Sequence, residues 1–147
     1  MDKDDVISTL NDLLQTTNDG GDGFRICAQN VRSTALKAVF ETAALRCDEG
    51  AMELKTKIRG LGGQPTEGGS TSGSLRRAWT NLKASIVGMD DHAVLAECER
   101  GEDAAKGAYE AALRKDLPAD VRTIVERQYR GVRENHDRVR NLRNAAA

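Results

Sequence analysis

The sequence predicts an all-α fold in which four long helices form a bundle and a long crossover carries a short extra helix. The composition favours helices, because only 3% of the 147 residues are aromatic, only two are proline, and 31% are charged. Apolar residues recur at alternating steps of three and four, which is the spacing of a helix packed in a bundle. Gly, Ser, Thr and Pro are concentrated in one internal stretch, residues 62–74, which predicts a flexible loop.

The first helix is predicted over about residues 2–31. The stretch "NDGGDGF" puts three glycines inside it, where each costs about 1 kcal/mol relative to alanine. Close approach of a neighbouring helix, with a kink or bulge, is the favoured explanation. A break into two helices and room for a ligand at mid-height are the alternatives. The buried seam of this helix is Val6, Leu10, Leu13, Thr17, Gly20, Phe24, Cys27 and Val31.

The second helix is predicted over about residues 33–61, with Ser33 as its N-cap and Gly62-Gly63 as its stop. Because the connection between the first two helices is very short, they are expected to be antiparallel neighbours. The seam of the second helix is Leu36, Phe40, Ala43, Cys47, Gly50, Leu54 and Leu61.

A shorter helical pattern, "LRRAWTNLKASIVG", follows the flexible loop. It has Leu75, Trp79, Leu82 and Ile86 on one face and is expected to end at Gly88. Trp79 is predicted to plug one side of the bundle, and an anchor for a partner subunit is the alternative.

The third long helix is predicted from a cap at Asp90 or Asp91 to about Lys115, and the fourth from about Asp120 onward. Pro118 separates them, because proline cannot continue the hydrogen-bond ladder of a helix. The two seams are Leu95, Cys98, Glu102, Ala105, Tyr109 and Ala112, followed by Val121, Val125, Gln128, Val132, Asn135, Val139 and Leu142.

The connections between these helices predict the topology. Short turns make the first and second helices antiparallel, and also the third and fourth. The long crossover spans the length of the bundle, so the second and third helices should run parallel. This is the one-crossover topology of ferritin-like bundles. The whole chain, residues 1–147, is expected to form one such domain.

A polar layer is predicted at mid-height, where ferritin-like bundles hold a di-metal site. Such a site takes one Glu from each of two helices and a Glu-x-x-His motif from each of the others. The sequence contains no Glu-x-x-His, and Glu102 is its one clear inward carboxylate. The candidate metal ligands are Glu102, Gln128 and His136, with iron or manganese as the ion. Helix geometry puts Gln128 and His136 about 12 Å apart along the axis, which argues against a shared ion.

The favoured interpretation of Glu102 is a buried acid rather than a metal ligand or a catalytic base. A buried carboxylate without partners loses its solvation, so a hydrogen bond is expected from Gln128, Asn135 or an arginine such as Arg46. No cofactor is predicted on this interpretation.

The sequence shows no complete set of catalytic residues, such as Ser-His-Asp or Cys-His. This favours a protein that is not an enzyme. The arginines of the fourth helix alternate with Glu and Asp, as on a solvated face, so no nucleic-acid partner is expected. No apolar run approaches the roughly 20 residues of a membrane span, and no membrane partner is expected.

The acidic start lacks the pattern of a signal peptide, which predicts a cytoplasmic protein. Cys27, Cys47 and Cys98 are expected to be buried, reduced thiols.

Three stretches resemble one bacterial family. They are "LNDLLQTTNDGGDGFRICAQNV", "GSLRRAWTNLKASIVGMDDHAVLAECERGEDAAKGAYEAALRKDLP" and "VERQYRGVRENHDRVRNLR". From about Val6 to Leu142, the chain is similar to a bacterial ferritin-like four-helix-bundle family of unknown function that is common in proteobacteria. The resemblance implies a ferritin-like fold but no activity. Glu102, Gln128 and His136 are members of the shared pattern.

The sequence therefore favours a non-catalytic, stress-associated or interaction protein with a degenerate di-metal site. The alternative is an iron- or manganese-binding redox protein with an atypical site at mid-height. A homo-oligomer or another protein is the expected partner.

Overall fold

The structure is a computed structural model that describes residues 1–66 and 74–146. For residues 74–76, 78, 79 and 146 it describes the backbone alone. The predicted role of the Trp79 side chain and most of the predicted flexible loop lie outside the described residues. The helices are α1 (Lys3–Asn30), α2 (Thr34–Gly60), α3 (Ser74–Ser85), α4 (Asp91–Leu113) and α5 (Ala119–Ala146).

Local chemistry sets where the long helices begin and end. The Ser33 hydroxyl accepts a hydrogen bond from the backbone N–H of Leu36 at 3.2 Å, and the Asp90 carboxylate accepts one from Ala93 at 2.8 Å. Each satisfies an N–H that has no partner inside its helix. Gly62 follows α2 with a φ of +84°, a conformation that side chains other than glycine rarely adopt. The predicted cap at Ser33 and the predicted stop at Gly62 are confirmed, and Asp90 is the cap of α4.

Asp91, the other candidate cap, has a different role at the same end of the bundle. Its carboxylate accepts hydrogen bonds from the backbone N–H groups of Arg32 at 2.8 Å and Ser33 at 3.0 Å. These two residues form the turn between α1 and α2. Asp91 thus ties the beginning of α4 to that turn.

The first helix is continuous through its glycines, so the alternative of two separate helices is wrong. A Cβ atom added at Gly20 would lie 3.5 Å from the Sγ atom of Cys47, and one added at Gly21 would lie 3.4 Å from the Cβ atom of Cys47. The two helices therefore lie close together here, as predicted, although a Cβ atom at either position would make only ordinary van der Waals contact with Cys47.

The four long helices form a bundle in which α2 and α4 run parallel. The N-terminal half of α1 shares one apolar core with the C-terminal halves of α2 and α4 and with the beginning of α5. The C-terminal half of α1 shares the other core with the beginnings of α2 and α4 and with the end of α5. The pairs α1–α2, α1–α4, α4–α5 and α2–α5 are neighbours. The predicted one-crossover topology is confirmed.

The short helix α3 closes the end of the bundle where α4 begins. It packs against α1 and α4, and Leu82 and Ile86 bury their side chains in the adjoining apolar core. Gly88 then turns the chain with a φ of +89°. Within residues 1–66 and 74–146, no helix is long and apolar enough to cross a membrane.

Candidate functional site

A cavity of about 340 Å³ lies between the two apolar cores, at the height of the predicted polar layer. It is lined by all four long helices and opens between α2 and α5, where Arg46, Glu49 and Arg127 are exposed at its rim. Its apolar lining residues include Phe24, Ala43, Ala105 and Val132, and its polar ones include Thr17, Glu102, Tyr109, Gln128 and Asn135.

Two glycines leave space on the open side of this cavity. Gly50 of α2 and Gly131 of α5 both line it. A Cβ atom added at Gly131 would meet no atom within 4 Å, whereas one added at Gly50 would lie 3.6 Å from the side-chain amide of Gln128. The α5 glycine therefore leaves empty volume, whereas a Cβ atom at the α2 glycine would be in ordinary van der Waals contact with Gln128.

Glu102 forms part of the inner wall of the cavity and is only 3% exposed. Its Oε2 atom accepts a hydrogen bond from the Asn135 amide at 2.7 Å, and its Oε1 atom accepts one from the Cys98 thiol at 3.6 Å. Burial raises the pKa of Glu102 from 4.5 to about 7, and these two hydrogen bonds and His136 oppose the rise. The prediction of a buried, hydrogen-bonded acid is confirmed, with Asn135 as the main partner.

Gln128 is the centre of a second hydrogen-bonded group, seven residues along α5 from Asn135 and therefore about 10 Å along the bundle axis from the Glu102 group. Its Oε1 atom accepts from the Tyr109 hydroxyl at 2.8 Å, and its Nε2 atom donates to Glu53 at 2.8 Å and to the Gly50 carbonyl at 3.2 Å. The Tyr109 hydroxyl also lies 3.0 Å from that of Thr17. This group therefore connects α1, α4, α5 and α2 in turn.

Sequence reasoning did not assign Tyr109 and Glu53 to this group. Tyr109 lies on the seam of α4, seven residues after Glu102, and that heptad spacing predicts the same helix face but a position about 10 Å further along the axis. Glu53 lies beside the seam of α2 and carries no such signal. The side chain of Glu53 is held in place by hydrogen bonds from Arg127, and these bonds also lower the pKa of Glu53 below its usual value.

The structure brings two of the three predicted metal ligands to the cavity. Glu102 and Gln128 line it, while His136 does not. The His136 ring is 6% exposed, and its Nε2 atom lies 2.6 Å from Asp103 Oδ1, an exposed carboxylate.

Of the carboxylates that line the cavity, Glu49 is exposed and Glu53 is paired with Arg127. Glu102 with an amide cannot balance the charge of two divalent ions and does not fit a di-metal centre. In the part of the chain that the structure describes, no group of three or more His, Cys, Asp or Glu could hold a metal ion.

Comparisons with known proteins place the chain in a family. Residues 5–115 match a family described as a domain of unknown function, DUF2383. The chain belongs to this family. Its structure is similar to that of the bacterioferritin-related protein from Bacteroides fragilis, described as a dodecameric thioferritin, with a TM-score of 0.79. The match covers 99% of this chain and 89% of that chain at 18% identity, which supports a ferritin-like fold and nothing finer. No curated protein matches the chain.

The three cysteines of this DUF2383 chain are free thiols in the interior. Cys27 and Cys98 are buried, and Cys47 is half-buried beside the cavity. Burial raises the pKa of Cys47 to about 12, so the thiolate, which is the nucleophilic form, is scarce at neutral pH. The prediction of buried thiols is confirmed for Cys27 and Cys98, whereas Cys47 is only half-buried.

Proposed function

We propose that this DUF2383 chain is a non-catalytic ferritin-like protein, in which a hydrogen-bonded polar layer takes the place of a di-metal centre. One observation carries the proposal: the mid-height groups that would serve as ligands are bonded to other side chains. Glu102 is bonded to Asn135 and Cys98, and Gln128 to Tyr109 and Glu53. Such a layer joins the helices without any ion.

We further infer that the chain acts by association, with other copies of itself as the first partner. Leu45 and Met52 are seven residues apart on the outer face of α2 and are 62% and 60% exposed. Large apolar side chains that share an exposed helix face are typical of a contact surface. The dodecameric state of the Bacteroides fragilis protein supports self-association of a bundle with this fold.

Metal analysis tests the non-catalytic proposal. The protein is purified from cells grown with added iron and manganese, without chelators, and its metal content is measured by mass spectrometry. We expect both metals well below one ion per chain, in the wild type and in Glu102→Gln alike. One ion or more per wild-type chain would contradict the proposal.

Metal binding at the cavity is the second candidate, and the position of three side chains favours it. Glu53, Glu102 and Gln128 all line the cavity, and carboxylate and amide oxygens suit hard divalent ions such as manganese. This candidate expects stoichiometric metal in the wild type and its loss in Glu102→Gln. Gln128→Leu should lower the metal content as well, whereas His136→Gln should leave it unchanged, because His136 lies outside the cavity.

A further inference from the structure

The mid-height cavity has the size and the lining of a small-molecule site. Such sites have volumes of roughly 300–1,000 Å³, are mostly apolar, and contain a few polar groups that orient the ligand. Here the volume is about 340 Å³. Phe24, Ala43, Ala105 and Val132 supply apolar wall, and the open position at Gly131 adds free space. An organic molecule of about a dozen non-hydrogen atoms fits these dimensions.

The polar group that distinguishes this cavity is the carboxyl of Glu102. It accepts hydrogen bonds from two neutral donors, Asn135 and Cys98. An ionised carboxylate has roughly four acceptor positions, so these bonds leave capacity for a further donor. Among residues 1–66 and 74–146, no Lys or Arg forms an ion pair with Glu102. A carboxylate buried without a cation is costly, and a cation arriving from the cavity relieves that cost.

The neighbouring charges favour a cationic ligand over an anionic one. Glu49, Glu53 and Glu102 line the cavity, against Arg46 and Arg127. The guanidinium of Arg127 is already engaged by both carboxylate oxygens of Glu53, which leaves Arg46 at the exposed rim. An anion inside the cavity would meet the carboxylate of Glu102.

In the described part of the chain, none of the remaining neighbours forms an ion pair with Glu102, although His136 acts on its charge from a distance. His136 of α5 is turned to Asp103, with 2.6 Å between Nε2 and Oδ1. Cys47 faces the cavity from α2, and Cys98 is bonded to Glu102 itself. The cavity thus offers one desolvated negative charge beside an apolar wall.

We propose that this cavity binds a small organic cation, an apolar primary amine whose ammonium group donates hydrogen bonds to Glu102 while its hydrocarbon body packs against Phe24, Ala43 and Val132. Binding of this ligand is independent of the self-association proposed above. It uses the same cavity as the metal-binding candidate but differs from it in its ligand, which carries its own charge and needs no coordination shell.

Binding of three probes of one shape tests the charge preference. The probes are 1-naphthylmethylamine, 1-naphthalenemethanol and 1-naphthoate, titrated into metal-free protein at pH 8 and followed by calorimetry. We expect the amine to bind at least about tenfold tighter than the alcohol, because a charge-assisted hydrogen bond is about twice as strong as a neutral one. Equal affinity for amine and alcohol, or tighter binding of the naphthoate, would overturn the proposal.

Two comparisons between variants then test where the amine binds: Glu102→Gln against the wild type, and Gly131→Leu against Gly107→Leu. Glu102→Gln keeps the side-chain shape and the bonding to Asn135, and we expect it to weaken the amine about tenfold while leaving the alcohol unchanged. Gly131→Leu fills the cavity and should weaken amine and alcohol alike. Its matched control is Gly107→Leu, at a helical glycine with equally open surroundings that does not line the cavity. Unchanged amine binding in Glu102→Gln, or in Gly131→Leu, would refute this location.

Discussion

Burial and charge conflict at Glu102, and the protonation of its carboxyl makes stability depend on pH. Its carboxyl has a pKa of about 7 in the folded chain, against 4.5 ordinarily. The folded protein therefore holds a proton between these values that the unfolded chain releases, and stability falls as pH rises. One pKa unit corresponds to about 1.4 kcal/mol, so we expect this group to lower the free energy of unfolding by about 3 kcal/mol between pH 4 and pH 8.

Denaturant unfolding of the wild type and of Glu102→Gln at pH 5, 6, 7 and 8 measures this contribution. The glutamine variant cannot ionise, so its stability should fall less over this range, and the difference between the two proteins should grow with pH. Parallel pH profiles for the two proteins would show that Glu102 is not the group responsible.

Tyr109 joins three helices through one hydroxyl group, and its removal should be costly. Tyr109→Phe leaves Oε1 of Gln128 without its donor, and a buried group left without a partner costs about 1–3 kcal/mol. Tyr129→Phe is the matched control, because the Tyr129 hydroxyl bonds Glu110 at 2.7 Å on a more accessible part of the bundle. We expect the control to stay within about 0.5 kcal/mol of the wild type in thermal and denaturant unfolding. A smaller loss for Tyr109→Phe than for Tyr129→Phe would contradict the assigned network.

The helices themselves could be predicted well, because local chemistry decides their limits. Ser33, Gly62 and Gly88 act through their own backbone or the next turn, and such signals are visible in the sequence. The direction of His136 could not be predicted, because it depends on the rotation of α5 relative to α4, which brings Asp103 within 2.6 Å. The contact of Glu53 with Gln128 could not be predicted either, because it depends on how α2 packs against α5.

Substitution of two glycines by alanine should change the stability of the chain in opposite directions. Gly131 lies inside α5 with open space around its missing Cβ atom, so Gly131→Ala should stabilise the chain by about 1 kcal/mol through helix propensity. Gly88 has a φ of +89°, so Gly88→Ala should destabilise it by about 1–2 kcal/mol, because an L side chain disfavours that conformation. Urea unfolding of both variants checks the signs. A destabilised Gly131→Ala would mean that α5 lies closer to α2 than the cavity allows.

At the scale of the whole molecule, connection lengths predicted the topology, whereas the cavity appeared only as room for a ligand at mid-height, the less favoured explanation of the glycines. Short turns and one long crossover were enough to order the helices. The cavity depends on the loose packing of α2 against α5, together with the close packing of α1 against α2. Such differences arise from the sum of many side-chain volumes and carry no pattern along the chain.

Copies of the chain are expected to associate through the outer face of α2. Leu45 and Met52 are exposed on this face, and contact between copies would remove their apolar surface from water. We expect the wild type to have a mass above that of one 15.9 kDa chain in light scattering coupled to size-exclusion chromatography. The double variant Leu45→Lys with Met52→Lys should have a lower mass and an unchanged helical circular-dichroism spectrum, since two charges would be forced into the contact. Val87→Lys is the control, because Val87 is 83% exposed but lies in the turn before α4. A monomeric wild type, or a double variant of unchanged mass, would rule out this face as the contact between copies.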